Sequence, residues 1–356
     1  MTSTNMDESL NTWATDRLGP VALHLRQDLV PVEGADGVFF PPTYAAAKKG
    51  EKPGYNIDTL SDGTRVALID SVGAQANRME PIFKDERFKH LVPQIEIAYG
   101  DTKKGTDGSI SLLEAGHRLG DAVVRCTELQ GEARQAFVDL LRTGDATRLA
   151  RLAPTSLIFG AWDSRDTMAK VPRLLQSVIR AWDVSPLTRS AQYNPALDYA
   201  GLEAFSEAEK EKAEGKPGSP LAERGYVHVP AVGSHGGVVA RGPIRRDVTI
   251  NLVALRRHQA EKRDEMRRYL LGLALVAATE PIDPFLRQGS ILVPDADKPA
   301  QWQIVGRDGQ RENVALQSEQ ILAYATRAAK AFGVGEDQSV RFDQALAKVD
   351  AKKKSK

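Results

Sequence analysis

The chain has 356 residues and carries 48 Lys and Arg against 47 Asp and Glu, a balance that excludes a basic nucleic-acid footprint over the whole surface. Its hydrophobic content of 42% and charged content of 27% are typical of a soluble globular protein. The single cysteine, Cys126, excludes an internal disulfide and a zinc site built on cysteines. The longest apolar run, residues 269–279, is too short to span a bilayer, and the N-terminus lacks the layout of a signal peptide. These features predict a cytoplasmic protein without a membrane partner.

The first elements of the chain read as a flexible start, a strand, and then a strand followed by a helix. Residues 1–21 are polar and predict a flexible N-terminus, and residues 22–34 alternate as a first strand. The run VALID at residues 66–70 predicts a second strand, which leads into SVGAQANRME at residues 71–80. Asp70 and Ser71 are good N-cap residues there, so a helix is expected to begin at this point.

The helix that begins in SVGAQANRME has two different faces. One is an apolar stripe with helical spacing, formed by Val72, Ala76, Met79 and Phe83. The other face is small and nearly free of long side chains, and it consists of Gly73, Ala74, Asn77 and Arg78. An ordinary solvated helix would carry several Lys and Glu there, so we expect a ligand to lie flat against this face.

Strands and helices continue to alternate up to residue 185. Each segment is assigned from its periodicity or from an apolar run. The assignments are a strand at 94–99, a helix at 111–125, a buried strand at 152–162 and a helix at 169–182.

The pattern changes at residue 186 and returns at residue 243. Residues 206–220 are charged and rich in Gly and Pro, and residues 225–244 predict a hairpin whose turn carries Ser234 to Gly237. The sequence then predicts a strand at 246–255, a helix at 261–279, a strand at 290–293 and a helix at 318–332. The predicted organisation is a core of 22–185 and 243–335, an inserted segment 186–242 and a basic C-terminal tail 336–356.

Motifs for metal, cofactor and hydrolytic chemistry are missing from the sequence. The six histidines are scattered, without the i, i+4 spacing of a zinc helix. No Walker A loop, GxSxG elbow or GxGxxG after a strand is present, so we expect no metal and no cofactor. Asp163 and Asp166 could bind a divalent ion, although such pairs more often belong to a solvated loop or a helix cap.

Basic residues form local groups that favour a polyanion as ligand. Lys170, Arg173 and Arg180 share one face of the helix predicted at 169–182, and Arg241, Arg245, Arg246, Arg256 and Arg257 surround the next core strand. Exposed faces of this kind also occur without a ligand. Aromatic residues make up only 6% of the chain and form no stacking platform, so we expect a grip on phosphates that disregards base sequence.

The predicted helix at 111–125 carries its own charge pattern. Glu114, Arg118, Asp121 and Arg125 follow helical spacing, which favours a ladder of salt bridges on its outer face. His117, beside this ladder, is better explained as a structural hydrogen-bonding residue than as a catalytic base.

Four segments together make the sequence similar to a known family. They are SVGAQANRMEPIF, SLLEAGHRLGDAVV, LAPTSLIFGAWDSRDTMAKVPRLLQSVIRAWDV and IRRDVTINLVALRR, and in this order they resemble the RAMP-superfamily backbone subunit of the type I-U (also called I-G) CRISPR effector complex. The resemblance runs from about Ala22 to the final helix. It implies an α+β fold, with an RRM-like, ferredoxin-type antiparallel-sheet palm and an inserted thumb hairpin.

The resemblance also implies function and partners. Copies of such a subunit stack head to tail along a guide RNA, which is held by its backbone so that its bases can pair with target DNA, and other effector subunits complete the complex. We therefore expect a non-catalytic RNA-binding subunit. The RNA-binding residues predicted are Gly73, Gln75, Asn77, Arg78, His117, Arg118, Lys170, Arg173, Arg245 and Arg246.

Two other functions stay open at this point. One is a RAMP-type RNA endonuclease, in which Asp163, Asp166 or His117 would act as general acid, general base or metal ligand. The other is a purely structural assembly protein that binds no nucleic acid, which would leave the arginine clusters unexplained.

Overall fold

The computed structural model describes residues 3–46, 53–101 and 104–352 of the chain. The helices in these ranges are α1 Ser3–Thr15, α2 Val72–Met79, α3 Ala122–Arg125, α4 Gln130–Thr143, α5 Thr147–Leu152, α6 Thr155–Phe159, α7 Glu207–Ala213, α8 Pro220–Glu223, α9 Leu252–Arg257, α10 Arg263–Thr279, α11 Ser318–Phe332 and α12 Gln344–Asp350. Short 3₁₀-helices cover Glu80–Lys84, Lys89–Leu91, Leu112–Glu114 and Arg118–Gly120. The strands are β1 Ala22–Pro31, β2 Thr43–Tyr44, β3 Gly54–Tyr55, β4 Ile57–Thr59, β5 Arg65–Asp70, β6 Ile95–Tyr99, β7 Gly108–Ser111, β8 Ala161–Trp162, β9 Lys170–Val171, β10 Leu175–Trp182, β11 Val184–Tyr193, β12 Val229–Ala240, β13 Ile244–Asn251, β14 Phe285–Arg287, β15 Ser290–Pro294, β16 Gln301–Val305, β17 Arg311–Val314 and β18 Gln338–Arg341.

One large antiparallel sheet organises these elements. Its strands follow the order β14-β15-β1-β13-β10-β5-β4, and β16 also pairs with β1 and carries β17. Strand β1 pairs with β13 along one edge, and its other edge is shared between β16 at Ala22–Arg26 and β15 at Leu29–Pro31. A smaller sheet pairs β6 with β7 and, in parallel, with β18. The α+β class predicted from the sequence is therefore confirmed, whereas the RRM-like palm stays a prediction.

The main core lies between the inner face of the large sheet and three helices. Leu23, Leu25 and Val248 of the sheet and most of α10 belong to one buried cluster with α1 and α11. Gly272 of α10 lets the backbone of α11 come close, because an added Cβ would lie 2.9 Å from Cα of Ala325. The run at 269–279 is thus a buried core helix, and no helix in the described ranges is long and apolar enough to cross a membrane.

A long hairpin leaves the sheet after β10. Strands β11 and β12 pair from Val184 with Ala240 to Tyr193 with Val229, and the intervening residues 194–228 carry α7 and α8. The predicted hairpin at 225–244 is wrong in its turn, since Ser234 to Gly237 lie inside β12. The two glycines that suggested a turn, Gly236 and Gly237, lie in a part of β12 that pairs irregularly with β11. The register between the two strands shifts twice. The boundaries 186–242 stay a prediction, as does the comparison of this segment to a thumb.

Both ends of the described chain are more ordered than predicted. Residues 3–15 form α1, whose Met6, Leu10 and Ala14 are buried in the main core, so the prediction of a flexible start is wrong for them. Three apolar residues at i, i+4 and i+8 are enough to bury one stripe of an otherwise polar helix. Within the predicted tail 336–356, β18 pairs with β6 and α12 follows, and residues 353–356 lie outside the described residues.

Three further element predictions are wrong. The segment 169–182 is not a helix but β9 and β10, and 152–162 is not a strand but α5, α6 and β8. Short apolar runs fit both the period of a helix and the period of a strand. Here β10 is a strand because it pairs with β13 on one side and with β5 on the other. Residues 111–125 break into two 3₁₀-helices and α3, because the backbone is extended at Ala115 and Asp121 and Arg118 takes a left-handed conformation with φ of 54°.

Other predicted elements are confirmed with small shifts of their ends. They are the strands at β1, β5, β6 and β15, most of the strand now seen as β13, and the helices at α2, α10 and α11. The predicted stripe of the first helix also holds, since Ala76 and Met79 are buried in α2 and Phe83 is buried just after it.

Candidate nucleic-acid interface

A cleft of about 360 Å³ brings together four of the residues predicted from the sequence. Its lining comes from three segments that are distant in the chain. The lining residues are Gly116, His117, Arg118, Gly160, Ala161, Trp162, Lys170, Val171 and Arg173. None of these is Asp or Glu, so the surface that faces the cleft carries only positive and neutral side chains.

The β8–β9 hairpin puts an aromatic ring beside a cation on one wall of the cleft. Trp162 and Lys170 are directly opposite each other across this pair of strands, which places their side chains on the same face. The Lys170 ammonium lies 4.9 Å from the ring centroid of Trp162, within the range of a cation–π interaction. The Trp162 side chain is nonetheless 49% exposed, so one part of its ring remains open to a ligand.

Asp163 shapes the loop that joins the two strands. Its buried carboxylate accepts hydrogen bonds from the backbone N–H of Asp166 at 3.3 Å and from both the N–H and the hydroxyl of Thr167 at 2.9 and 2.7 Å. Asp166 forms an ion pair with Arg134 at 3.1 Å. The two acids thus have local structural partners, which agrees with the loop interpretation of this pair from the sequence.

Gly160 lets an arginine reach the cleft. Its φ of 81° favours glycine, and an added Cβ would lie 2.7 Å from Cγ of Arg173 and 3.0 Å from the carbonyl of Val171. The carbonyl of Gly160 accepts a hydrogen bond from Nη1 of Arg118 at 3.1 Å. The position therefore needs a residue without a side chain to keep both arginines in place.

Arg118 forms the floor of the cleft and is paired with a buried acid. Its side chain is almost fully buried, with Nε 2.7 Å from Oε2 of the buried Glu80 and the guanidinium over the ring of Phe159. Burial raises the pKa of Glu80 to about 7 against the opposing effect of the Arg118 charge, and burial lowers the pKa of Arg118. The predicted ladder on 111–125 is wrong, because Glu114 pairs with Lys84 and Arg118 with Glu80.

Helix α2 borders the cleft through its small face. Asn77 is exposed and its side-chain oxygen accepts a hydrogen bond from Nη2 of Arg118 at 3.2 Å. Gly73 has open space where a side chain would be, since an added Cβ would meet only the Ser71 hydroxyl at 3.9 Å. The face predicted from the sequence is therefore partly open, and it adjoins the cations of the cleft at Asn77.

Arg78 and Gln75 turn away from that open face. The fully buried carboxylate of Asp70 accepts hydrogen bonds from Gln75 at 2.8 Å, from Arg78 at 3.0 Å and from Arg287 at 2.9 Å. Gln75 in turn accepts a hydrogen bond from the hydroxyl of Ser177. These two side chains hold α2 on the sheet, and a phosphate contact from Arg78 would compete with its bond to Asp70.

The two neighbouring arginines of β13 point to opposite faces of the sheet. Arg246 is 2% exposed and lies on the inner face, whereas Arg245 is on the outer face, 4.8 Å over the ring of Trp182 and 3.5 Å from Asp28. Arg245 is also directly opposite Arg180 of β10. Trp182 lies at the end of β10 that is farther from Arg173, and the strand is roughly 23 Å long.

Sequence reasoning missed the two tryptophans. The signal that could have revealed Trp162 is its pairing with Lys170, but that pairing is visible only once 170–182 is recognised as strands. The prediction that 169–182 is a helix put Lys170, Arg173 and Arg180 in one line, whereas the strand places Arg180 near Trp182 instead. Of the ten predicted residues, His117, Arg118, Lys170 and Arg173 line the cleft, and Asn77 contacts it.

Among the solved structures that resemble this chain, one has a title that names its assembly, and its structural similarity to this chain is low. The chain aligns with a chain of a "CRISPR RNA-guided surveillance complex, pre-nicking" at 14% identity, covering 93% of this chain and 98% of that one, with a TM-score of 0.33. A TM-score of this size does not establish a shared fold. A search of the curated proteins finds no match.

Comparison with protein families gives a clear result for the part of the chain that builds the cleft. Residues 23–186 match the family described as CRISPR-associated protein GSU0053, and this range includes every residue that lines the cleft. The resemblance to a CRISPR-associated family is thereby confirmed, by a match that covers residues 23–186 of the chain.

Proposed function

We propose that the chain is a non-catalytic CRISPR RNA-binding subunit that holds the guide RNA by its phosphate backbone. The observation that carries this proposal is the cleft between α2 and the β8–β9 hairpin, whose lining in the described part of the chain includes cations and an exposed tryptophan and no acid. Its location inside the family match supports a role in CRISPR function.

The cleft has the two components that single-stranded nucleic acid needs. Lys170 and Arg173 are exposed and can neutralise phosphates, and the open part of the Trp162 ring can stack on a base. Both contacts are independent of base identity, since every nucleotide has a phosphate and a π-face. Arg118 forms the floor of the cleft. Its guanidinium is paired with Glu80 and hydrogen-bonded to Asn77, so it holds the floor in position and does not itself bind RNA.

We extend the proposal to the assembly. The chain would be a backbone subunit of a type I-U (I-G) Cascade-like complex in the cytoplasm, with copies stacked head to tail along the guide RNA. Head-to-tail contacts that do not close produce an open helical array. Bases held only through their backbone stay free to pair with target DNA, and other effector subunits would cap the array. The long hairpin β11–β12 is the element best suited to reach a neighbouring copy.

The assembly can be tested by size-exclusion chromatography and negative-stain imaging of the purified protein with and without an unrelated single-stranded RNA. We expect arcs or filaments that need RNA, form with any sequence and dissolve at high salt, because the contacts are to phosphates. Arrays that formed equally well without RNA, or a protein that stayed monomeric with every RNA tried, would contradict this part of the proposal.

The RNA endonuclease suggested as an alternative makes a different prediction. With labelled RNA and Mg²⁺ we expect no discrete products, since Asp163 and Asp166 are held by Thr167 and Arg134. The matched control is the double variant Asp163→Asn, Asp166→Asn. Products that appear with the unmodified chain and vanish in this variant would favour the endonuclease.

A further inference from the structure

A second cavity, of about 480 Å³, lies on the inner side of the large sheet and is not part of the cleft. It is enclosed by β1, β15 and β16 and by the C-terminal end of α10 with the loop that follows. Its walls are mostly apolar, with Leu25, Leu29, Leu292 and Trp302 among them. A cavity of this size with apolar walls is large enough for a small organic molecule.

Among the described residues that line this wall, the one cation is the buried Arg246. Its Nε donates to the Ser177 hydroxyl at 3.2 Å, Nη1 to the Gln27 side-chain oxygen at 3.3 Å, and Nη2 to the Met79 sulfur at 3.5 Å. A guanidinium has five N–H groups, so these bonds leave two N–H groups without an acceptor in the described part of the chain. One of the three acceptors is a thioether, which is a weak one.

Nothing among the described residues neutralises the charge of Arg246. No carboxylate of residues 3–46, 53–101 or 104–352 forms an ion pair with it, and burial lowers its pKa to about 10, which still leaves it charged at neutral pH. Buried charges in proteins are normally paired, because removal from water costs free energy that a partner must offset. The buried charge of Arg246 therefore needs an anion beside it that the described residues do not provide.

The other polar groups of the cavity do not supply that anion. Glu280 is on the wall, but its carboxylate is paired with Arg87 at 3.3 Å. The C-terminal end of α10 carries a partial negative charge of about one half, which is too small to neutralise a guanidinium. Gln27 offers a neutral amide oxygen that is already an acceptor of Arg246.

We propose that this cavity binds a small organic monoanion with an apolar body, whose carboxylate contacts Arg246 and whose hydrocarbon part fills the space between β1, β16 and the end of α10. A guanidinium binds a carboxylate through two parallel hydrogen bonds, which matches the two N–H groups left over. The apolar walls disfavour a hydrated polynucleotide, so the site is separate from the RNA-binding cleft. This inference does not rest on the proposed RNA function.

The test is a calorimetric titration with octanoate, using the full chain. We expect octanoate to bind and octan-1-ol, which lacks the charge, to bind at least about tenfold more weakly. In Arg246→Gln the affinity for octanoate should fall at least about tenfold. The matched control is Arg245→Gln, which removes the same charge from the adjacent residue on the outer face and should leave octanoate binding unchanged.

A second variant keeps the test decisive if Arg246→Gln does not fold. Ala300 is exposed and lines the mouth of the cavity, so Ala300→Trp should fold normally and should weaken octanoate binding by obstructing entry. The proposal is overturned if octanoate does not bind the unmodified chain. It is equally overturned if octan-1-ol binds as tightly as octanoate, or if neither folded variant alters the affinity.

Discussion

Affinity for single-stranded RNA is expected to fall about 5- to 150-fold when Trp162 is replaced by Ala, whatever the base sequence of the RNA. The physical reason is the loss of one stacking surface, worth about 1–3 kcal/mol per base. Replacing Lys170 and Arg173 by Ala should instead reduce the salt dependence of binding. Each lost phosphate contact should lower the slope of log K against log salt by about 0.7.

These two effects are measured by fluorescence anisotropy with several unrelated RNA sequences over a range of salt concentrations. Arg142→Ala is the matched control, because Arg142 is an exposed cation of α4 that does not line the cleft, and it should leave the affinity and the slope nearly unchanged. A loss of affinity that depended on base sequence would show that the site reads bases, and the backbone-binding model would then be wrong.

Arg78→Ala is a poorer test of RNA binding than the sequence suggests. Its guanidinium donates to the buried Asp70 and to the carbonyl of Leu286, so its removal leaves a buried carboxylate with fewer partners. A weaker affinity in that variant would report damage to the α2 anchor as readily as a lost phosphate contact.

The stability of the fold is expected to depend on pH through two buried groups with opposite effects. Burial raises the pKa of Glu80 from its ordinary 4.5 to about 7, so folding favours its protonated form. The contribution of Glu80 to the free energy of unfolding is complete below pH 4.5 and is lost as the pH rises through about 7. The difference between the two pKa values corresponds to about 3 kcal/mol.

His258 works in the opposite direction. Burial and the nearby Arg267 charge lower its pKa from 6.5 to about 4, so the folded chain holds it neutral. Its contribution to stability is complete above pH 6.5 and is lost as the pH falls through about 4, again about 3 kcal/mol in size. In the unmodified chain the two effects oppose each other between pH 4.5 and 6.5, and the free energy of unfolding should change little from these groups.

Two variants separate the effects. In Glu80→Gln the free energy of unfolding should rise with pH across this window, because only the His258 effect remains. In His258→Gln it should fall with pH, because only the Glu80 effect remains. The measurement is urea unfolding at a series of pH values. Identical pH profiles for the two variants would contradict the assignment of opposite pKa shifts to the two buried groups.

The sequence by itself determined the elements whose pattern is long or sharply bounded. Helices α10 and α11 were predicted within two residues, because seventeen and fifteen residues of apolar periodicity leave no competing structure. Strand β5 and the N-cap at Ser71 followed from a short apolar run that ends in capping residues. The order of four motifs was also sufficient to indicate the CRISPR-associated family.

Tertiary structure alone decided the elements and partners that depend on distant residues. The segment 175–182 is a strand because β13 and β5 supply hydrogen bonds on its two edges, and residues 155–159 are helical despite an apolar run that fits either structure. A short apolar run does not distinguish a helix from a strand, because the contacts that stabilise one or the other come from elsewhere in the chain.

The same reason governs which charged residues are available to a ligand. Arg118 and Arg246 look like surface cations in the sequence, yet one is paired with Glu80 and the other lies buried on the inner face of the sheet. Arg245 and Arg246 are adjacent in the chain, but alternation along β13 sends them to opposite faces. The spacing of the cations therefore indicated local basic groups, whereas only long-range pairing determined that Lys170, Arg173 and Trp162 come together.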